Sequence, residues 1–150
     1  MKYVLFLTIL TLNAFAEIDD SSFVNKDRYL ILPLKSLGLT DSINFEIEFV
    51  PPAGKKVNKA SFIKIYEKNS KNWSLTETVE IENAFEEFDG RVLTHNSILK
   101  TKNALVGVEI DFIHCDYAGR QCDQERYIGK INRSKKTKDN KVKYTLRIKK

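Results

Sequence analysis

The chain contains two cysteines, Cys115 and Cys122, separated by six residues in the stretch IHCDYAGRQCDQERY. His114 directly precedes the first of them. Two thiols this close together can form a structural disulfide, supply metal ligands, or exchange disulfides with other proteins. Each alternative requires a different arrangement of the strands and the loop around the cysteines.

A purely structural bond would contribute little here. The chain-entropy model gives about 2.5 kcal/mol for so short a closed loop. A domain of this size has enough core to fold without it. The bond would also join two strands that a sheet already pairs.

A metal site would need more ligands than this stretch provides. His114, Cys115 and Cys122 are suitable ligand types. In a strand, however, His114 and Cys115 point to opposite faces. The other histidine, His95, is distant in sequence. We therefore expect no metal and no other cofactor.

A redox-active pair is the third alternative. A disulfide closed over a short loop at a sheet edge is partly exposed and open to reduction. Gly119 permits the tight bend that brings the sulfurs together. Nearby arginines, Arg120 and Arg126, would favour a thiolate, whereas Asp116 and Asp123 would oppose it. These charges do not decide between the alternatives.

Alternating apolar and polar residues recur along most of the chain and predict β-strands. SINFEIEFV places Ile43, Phe45, Ile47 and Phe49 on one face. ALVGVEIDFIH alternates in the same way, with Glu109 and Asp111 opposite its apolar residues. Seven to nine short strands at this spacing indicate an all-β protein, an antiparallel sandwich. The cysteine stretch would then lie at a loop or hairpin tip.

Other local features carry more specific expectations. Two hairpins are predicted, ENAFEEFDGRVLTH around Asp89-Gly90 and YIGKINRSKKTKDNKVKYTLRI around Asp139-Asn140. Pro33 marks an edge strand or bulge, because proline cannot donate to a ladder. Trp73 is assigned to the core.

The segment IDFIHCDYAGRQCDQERYIGKI resembles the cysteine hairpin of one known family. That family is the periplasmic N-terminal domain of the transmembrane thiol–disulfide interchange protein DsbD. AFEEFDGRVL resembles its cap loop, and the cap precedes the cysteines in both. The resemblance implies an immunoglobulin-like sandwich in which Cys122 forms the mixed disulfide with partners and Cys115 resolves it. It also implies that Phe88 is the cap aromatic, with Glu86 and Glu87 beside it; the alternative is that Phe88 belongs to the core.

The resemblance also implies partners. They are thioredoxin-like periplasmic proteins and, because this chain has no C-x-x-C motif, a separate membrane thiol reductant. The segment GKKVNKASFIKI lacks the tyrosines that face the disulfide in the family. The non-redox alternative is a periplasmic binding module whose disulfide is structural.

The first 16 residues, MKYVLFLTILTLNAFA, have the pattern of an export signal. Lys2 is followed by an apolar run and by an Ala14-Phe15-Ala16 cleavage site. We therefore expect residues 17–150 to form one soluble periplasmic domain without a membrane anchor. Disulfides form readily in that compartment.

Charge is distributed unevenly along the chain. Residues 17–129 carry 14 Lys or Arg and 19 Asp or Glu, a net of −5. Residues 130–150 carry 10 Lys or Arg and one Asp, a net of +9. The basic KVKYTLRIKK alternates with apolar residues, which predicts a half-buried strand with a solvated basic face. We expect no nucleic-acid binding, since no aromatic platform is interleaved.

Overall fold

A computed structural model describes residues 18–81, 92–116 and 118–148. These residues form one short 3-10 helix, Asp20–Val24, and ten β-strands. The strands are β1 Leu30–Ile31, β2 Lys35–Gly38, β3 Ser42–Val50, β4 Lys56–Val57, β5 Phe62–Asn69, β6 Asn72–Glu80, β7 Leu93–Lys100, β8 Leu105–Cys115, β9 Cys122–Ser134 and β10 Lys141–Arg147.

The strands form two sheets, which confirms the predicted all-β sandwich. The larger sheet has the order β1-β9-β8-β5-β6, with β2 also beside β9 and β4 also beside β8. The smaller sheet has the order β10-β3-β7. No helix in the described residues has the length and apolar character needed to cross a membrane.

The core lies between the two sheets and follows the predicted alternation. On β3 the four predicted residues from Ile43 to Phe49 are all buried. Phe49 meets Phe112 of β8 across the interface, with ring centroids 5.1 Å apart in an edge-to-face arrangement. Such aromatic pairs add to the stabilisation from buried area, so β3 and β8 hold the sheets together.

The sheets are mixed rather than wholly antiparallel, which corrects the predicted strand arrangement. β1 and β2 both run parallel to β9, and β10 runs parallel to β3. Pro33 lies in the break between β1 and β2, at the edge of the larger sheet. The prediction that it interrupts an edge strand is confirmed.

The predicted hairpin around Asp139-Asn140 is wrong, because β9 and β10 belong to different sheets. The carbonyl oxygen of Asp139 accepts the Gly38 N–H at 2.6 Å, and that of Asn140 accepts the Asn44 N–H at 2.8 Å. Through these bonds the connection between β9 and β10 contacts first the end of β2, in the larger sheet, and then the start of β3, in the smaller sheet. The hairpin predicted around Asp89-Gly90 falls largely on residues 82–91, outside the described part of the chain.

Strand β8 is buried on both faces, which explains how it can carry acidic residues inside the protein. A second apolar cluster, including Phe23 and the core tryptophan Trp73, covers the outer face of the larger sheet. Gly107 permits this close packing, since a Cβ there would lie 2.9 Å from the Phe23 ring. The assignment of Trp73 to a core is therefore confirmed.

Beside this cluster lie two buried carboxylates with their partners, called here the buried ion cluster: Glu109, Asp111, Arg126 and Tyr66. Arg126 Nη2 lies 2.7 Å from Glu109 Oε1, and its Nε lies 3.1 Å from Asp111 Oδ1. The Tyr66 hydroxyl donates to Glu109 at 2.8 Å. Burial raises the pKa of Tyr66, and the bond to Glu109 raises it further, so the hydroxyl keeps its proton and remains a donor.

The basic residues of β10 lie on an exposed face, as predicted. Lys143 Nζ bridges Glu46 at 3.0 Å and Glu48 at 2.6 Å on the neighbouring strand β3. Hydrogen bonds from lysines of β10 lower the pKa of both glutamates. The positive charge of β10 is therefore partly balanced within its own sheet.

Replacing Lys143 and Arg147 by methionine should leave the midpoint of denaturant unfolding almost unchanged. Exposed ion pairs contribute little, because water solvates the separated charges nearly as well. Urea titration of the variant and the wild type measures the difference. Tight, salt-dependent DNA or RNA binding by the wild type at physiological salt would contradict the expectation that this face has no nucleic-acid partner.

Candidate functional site

The two cysteines end one strand and begin the next. Cys115 is the last residue of β8, Cys122 is the first of β9, and they lie directly opposite each other. Their sulfurs are bonded, and their Cα atoms are 4.1 Å apart. The predicted place at the end of a hairpin is confirmed, but the strands extend to the cysteines themselves.

The backbone pairing of the two cysteines determines which backbone groups of each one face away from the other strand. The Asp116 N–H donates to the Gln121 carbonyl at 3.0 Å. Since hydrogen-bonded and non-hydrogen-bonded pairs alternate along an antiparallel ladder, the adjacent cysteine pair is non-hydrogen-bonded. Each cysteine therefore directs its own N–H and C=O away from the other strand.

For Cys115 this outward side is occupied. Lys56 of β4 pairs with it there, so Cys115 lies between two strands and is 0% exposed. On the outer side of β9, the pairing seen in the described residues begins only at Tyr127, which pairs with Leu30. Cys122 is exposed. One cysteine of the disulfide is therefore exposed and the other is buried.

The loop between the cysteines is closed by Asp116 and Gly119. Asp116 Oδ1 accepts the N–H of Arg120 at 2.8 Å and that of Gln121 at 3.3 Å. The Arg120 N–H is the largest reason that the Asp116 pKa is lowered. Gly119 has φ +67°, a conformation that favours glycine. The predicted role of Gly119 in the bend is confirmed.

The charged neighbours of the cysteines are engaged with other groups. Asp123, next to Cys122, forms an ion pair with Lys55 at 2.6 Å. This contact lowers the pKa of Asp123. Arg126 is part of the buried ion cluster, four residues beyond Cys122. The expectation was that Arg126 would favour a thiolate. Its guanidinium is paired with Glu109 and Asp111 instead of contacting a cysteine directly.

Asn58 was not identified from the sequence, yet it contacts the disulfide. Its Nδ2 lies 3.1 Å from Cys115 Sγ. Asn58 belongs to GKKVNKASFIKI, the segment in which the family's tyrosines are missing. That absence was the only signal in the sequence that a different side chain faces the buried sulfur.

The histidine beside the cysteines faces the sandwich core. His114 is buried, and its ring packs edge-to-face on Phe112 with centroids 5.5 Å apart. Its opposition to Cys115, predicted from strand alternation, is confirmed. Burial lowers the pKa of His114, and Lys55 lowers it further. Within residues 18–81, 92–116 and 118–148, no group of three His, Cys, Asp or Glu side chains is placed to hold a metal ion.

The cap residues expected from the resemblance, Glu86, Glu87 and Phe88, lie outside the described residues. Their expected role as a cap over the disulfide stays a prediction. No protein-family model, curated protein or solved structure matches this chain.

Proposed function

We propose that this protein is a thiol–disulfide exchange domain that relays electrons through Cys115 and Cys122. The observation that carries the proposal is the unequal exposure of the two cysteines. A relay needs one sulfur that a partner can reach and a second that only the first can reach. Cys122 is exposed and Cys115 is fully buried behind β4.

The exchange proceeds through a mixed disulfide. In the reduced domain, the Cys122 thiolate attacks a partner disulfide, and the partner's second sulfur leaves as a thiolate that takes up a proton. Cys115 then attacks Cys122 Sγ. The bond between the two cysteines forms, and the bond to the partner breaks. Two electrons pass to the partner, and the domain is left oxidised.

A purely stabilising role accounts less well for this bond. Strands β8 and β9 are already paired from Leu105 opposite Asn132 to the cysteines themselves. Closing so short a loop adds about 2.5 kcal/mol at most in the chain-entropy model. A structural bond between neighbouring strands also has no need for one exposed and one buried sulfur.

The resemblance to the DsbD N-terminal domain supports the same function and suggests its setting. The domain would work in the periplasm, after export, on thioredoxin-like partners. Its electrons would come from a membrane thiol reductant. The residues that carry the likeness are the cysteine hairpin and the segment around Phe88.

The reduction potential of the cysteine pair tests the proposal. A relay is expected to have a potential well above about −300 mV, whereas structural disulfides of exported proteins lie below that value. Equilibration with glutathione or dithiothreitol buffers, followed by alkylation and mass spectrometry, gives the potential. The same oxidised domain, mixed with reduced thioredoxin, should be reduced within minutes.

A potential below this limit, with no reaction towards thioredoxin, would favour the alternative of a binding module with a structural disulfide. The Cys115→Ser, Cys122→Ser double variant is the control for thioredoxin oxidation by other routes.

A further inference from the structure

The side chain of Asn58 directs a hydrogen-bond donor at the buried sulfur. Asn58 directly follows β4, the strand that covers Cys115. Its Nδ2 lies 3.1 Å from Cys115 Sγ, within hydrogen-bond distance for a sulfur acceptor. A donor at this place interacts more strongly with a thiolate than with a disulfide sulfur, because hydrogen bonds to charged acceptors are stronger.

The orientation of the Asn58 amide is determined by its other contacts. Oδ1 accepts the Ala60 N–H at 2.9 Å. An amide oxygen accepts and an amide nitrogen donates, so the oxygen must face Ala60 and the nitrogen must face the sulfur. The hydrogen bond within the turn therefore determines that the Asn58 amide nitrogen, a donor, faces Cys115 Sγ.

The turn itself is fixed to β8 two residues before Cys115. The Asn58 N–H donates to the Ile113 carbonyl at 2.8 Å. Ser61, which is buried, exchanges hydrogen bonds with Ile113 in both directions at 3.0 Å. The amide is thus held on a rigid element beside the sulfur, and little reorganisation is needed when charge appears there.

Among the described residues, the charged or titratable side chains nearest to the cysteine pair in sequence and register are Lys55, Lys56, His114, Asp116, Arg120 and Asp123. Lys55 and Asp123 neutralise each other at 2.6 Å. Asp116 accepts backbone N–H groups of its own loop, and His114 faces the sandwich core. Asn58 therefore provides a directed donor that stays neutral across the working pH range.

We propose that Asn58 is a third catalytic residue of the exchange site, stabilising the Cys115 thiolate that resolves the mixed disulfide. This inference rests on the proposed exchange function. As Cys115 Sγ bonds to Cys122 Sγ, the bond from Cys122 to the partner breaks. The partner leaves as a thiolate, and the proton that Cys115 lost passes through solvent to that leaving group.

The variant Asn58→Ser removes the donor to Cys115 Sγ while keeping an acceptor for the hydrogen bond that closes the turn. A serine hydroxyl can accept the Ala60 N–H in the same kind of turn, but it is too short to reach the sulfur. The probe is dithiobis-nitrobenzoate. It releases one coloured thiolate when Cys122 attacks and a second when Cys115 resolves. The pH midpoint of the second release should rise by about one pH unit. Below that midpoint the release should slow about threefold, because the smaller thiolate fraction is partly offset by the greater nucleophilicity of a more basic thiolate.

A second variant, Asn58→Asp, keeps the side-chain size and the acceptor for Ala60 but replaces the donor by a negative charge. Its second release should be slower than that of Asn58→Ser, with a larger shift of the pH midpoint. The first release should change little in either variant. Unfolding midpoints of both variants show whether the turn is preserved.

An unchanged second release and pH profile in Asn58→Ser, or resolution by Asn58→Asp as fast as in the wild type, would overturn the inference. Failure of the proposed function looks different. In that case the wild type would release both coloured thiolates, with the Asn58 dependence intact, but would exchange with no protein thiol.

Discussion

The Cys115→Ser variant is expected to hold a thioredoxin-like protein as a stable mixed disulfide, whereas Cys122→Ser is expected to capture none. In the first variant the exposed Cys122 can still attack, but no second thiol of the domain remains to resolve the product. In the second variant the remaining thiol is wholly buried behind β4. A partner's disulfide cannot reach it in the folded domain.

A suitable probe is a thioredoxin that keeps only its nucleophilic cysteine, activated as a nitrobenzoate mixed disulfide. Capture is then read from non-reducing gels and mass spectrometry. Alkylation of each variant in denaturant verifies that its remaining cysteine is a free thiol. Equal capture by both variants, or capture by neither, would contradict the roles assigned to the two cysteines.

The strands with alternating residues were the most predictable part of the fold. β3 and β8 alternate apolar and polar residues over most of their lengths, and on β3 this period of two gives the buried face. On β8 both faces are buried, which the alternation did not predict. This alternation also placed His114 and Cys115 on opposite faces. Strand partners were less predictable, because pairing depends on contacts between distant segments. The alternation of β10 gives its buried face, but not that it runs beside β3.

The candidate site, too, depends on contacts between distant segments that the sequence alone did not predict. The cysteines and their hairpin could be recognised from spacing and from the resemblance. Their unequal exposure depends on β4, a strand of two residues, Lys56–Val57. Two residues are too few to show any periodicity. Asn58 follows in a polar stretch where nothing local distinguishes it from the other polar residues, and only the fold brings it to the sulfur.

The buried ion cluster offers a comparison with the exposed face of β10. Arg126 lies between Glu109 and Asp111, and Lys143 lies between Glu46 and Glu48. Each cation bridges two carboxylates of the neighbouring strand at distances of 2.6–3.1 Å. The carboxylates differ in environment. Those of the buried ion cluster are almost inaccessible to water, whereas those on β3 are partly exposed.

Replacing Arg126 by methionine should therefore lower the free energy of unfolding by about 3–5 kcal/mol, because two buried carboxylates lose their cation. Lys143→Met is the matched control and should cost almost nothing. Adding Glu109→Gln and Asp111→Asn to Arg126→Met should restore much of the loss, since the uncompensated charge is then gone. Urea unfolding measures all of these changes. Similar small losses for Arg126→Met and Lys143→Met would show that water reaches the buried ion cluster.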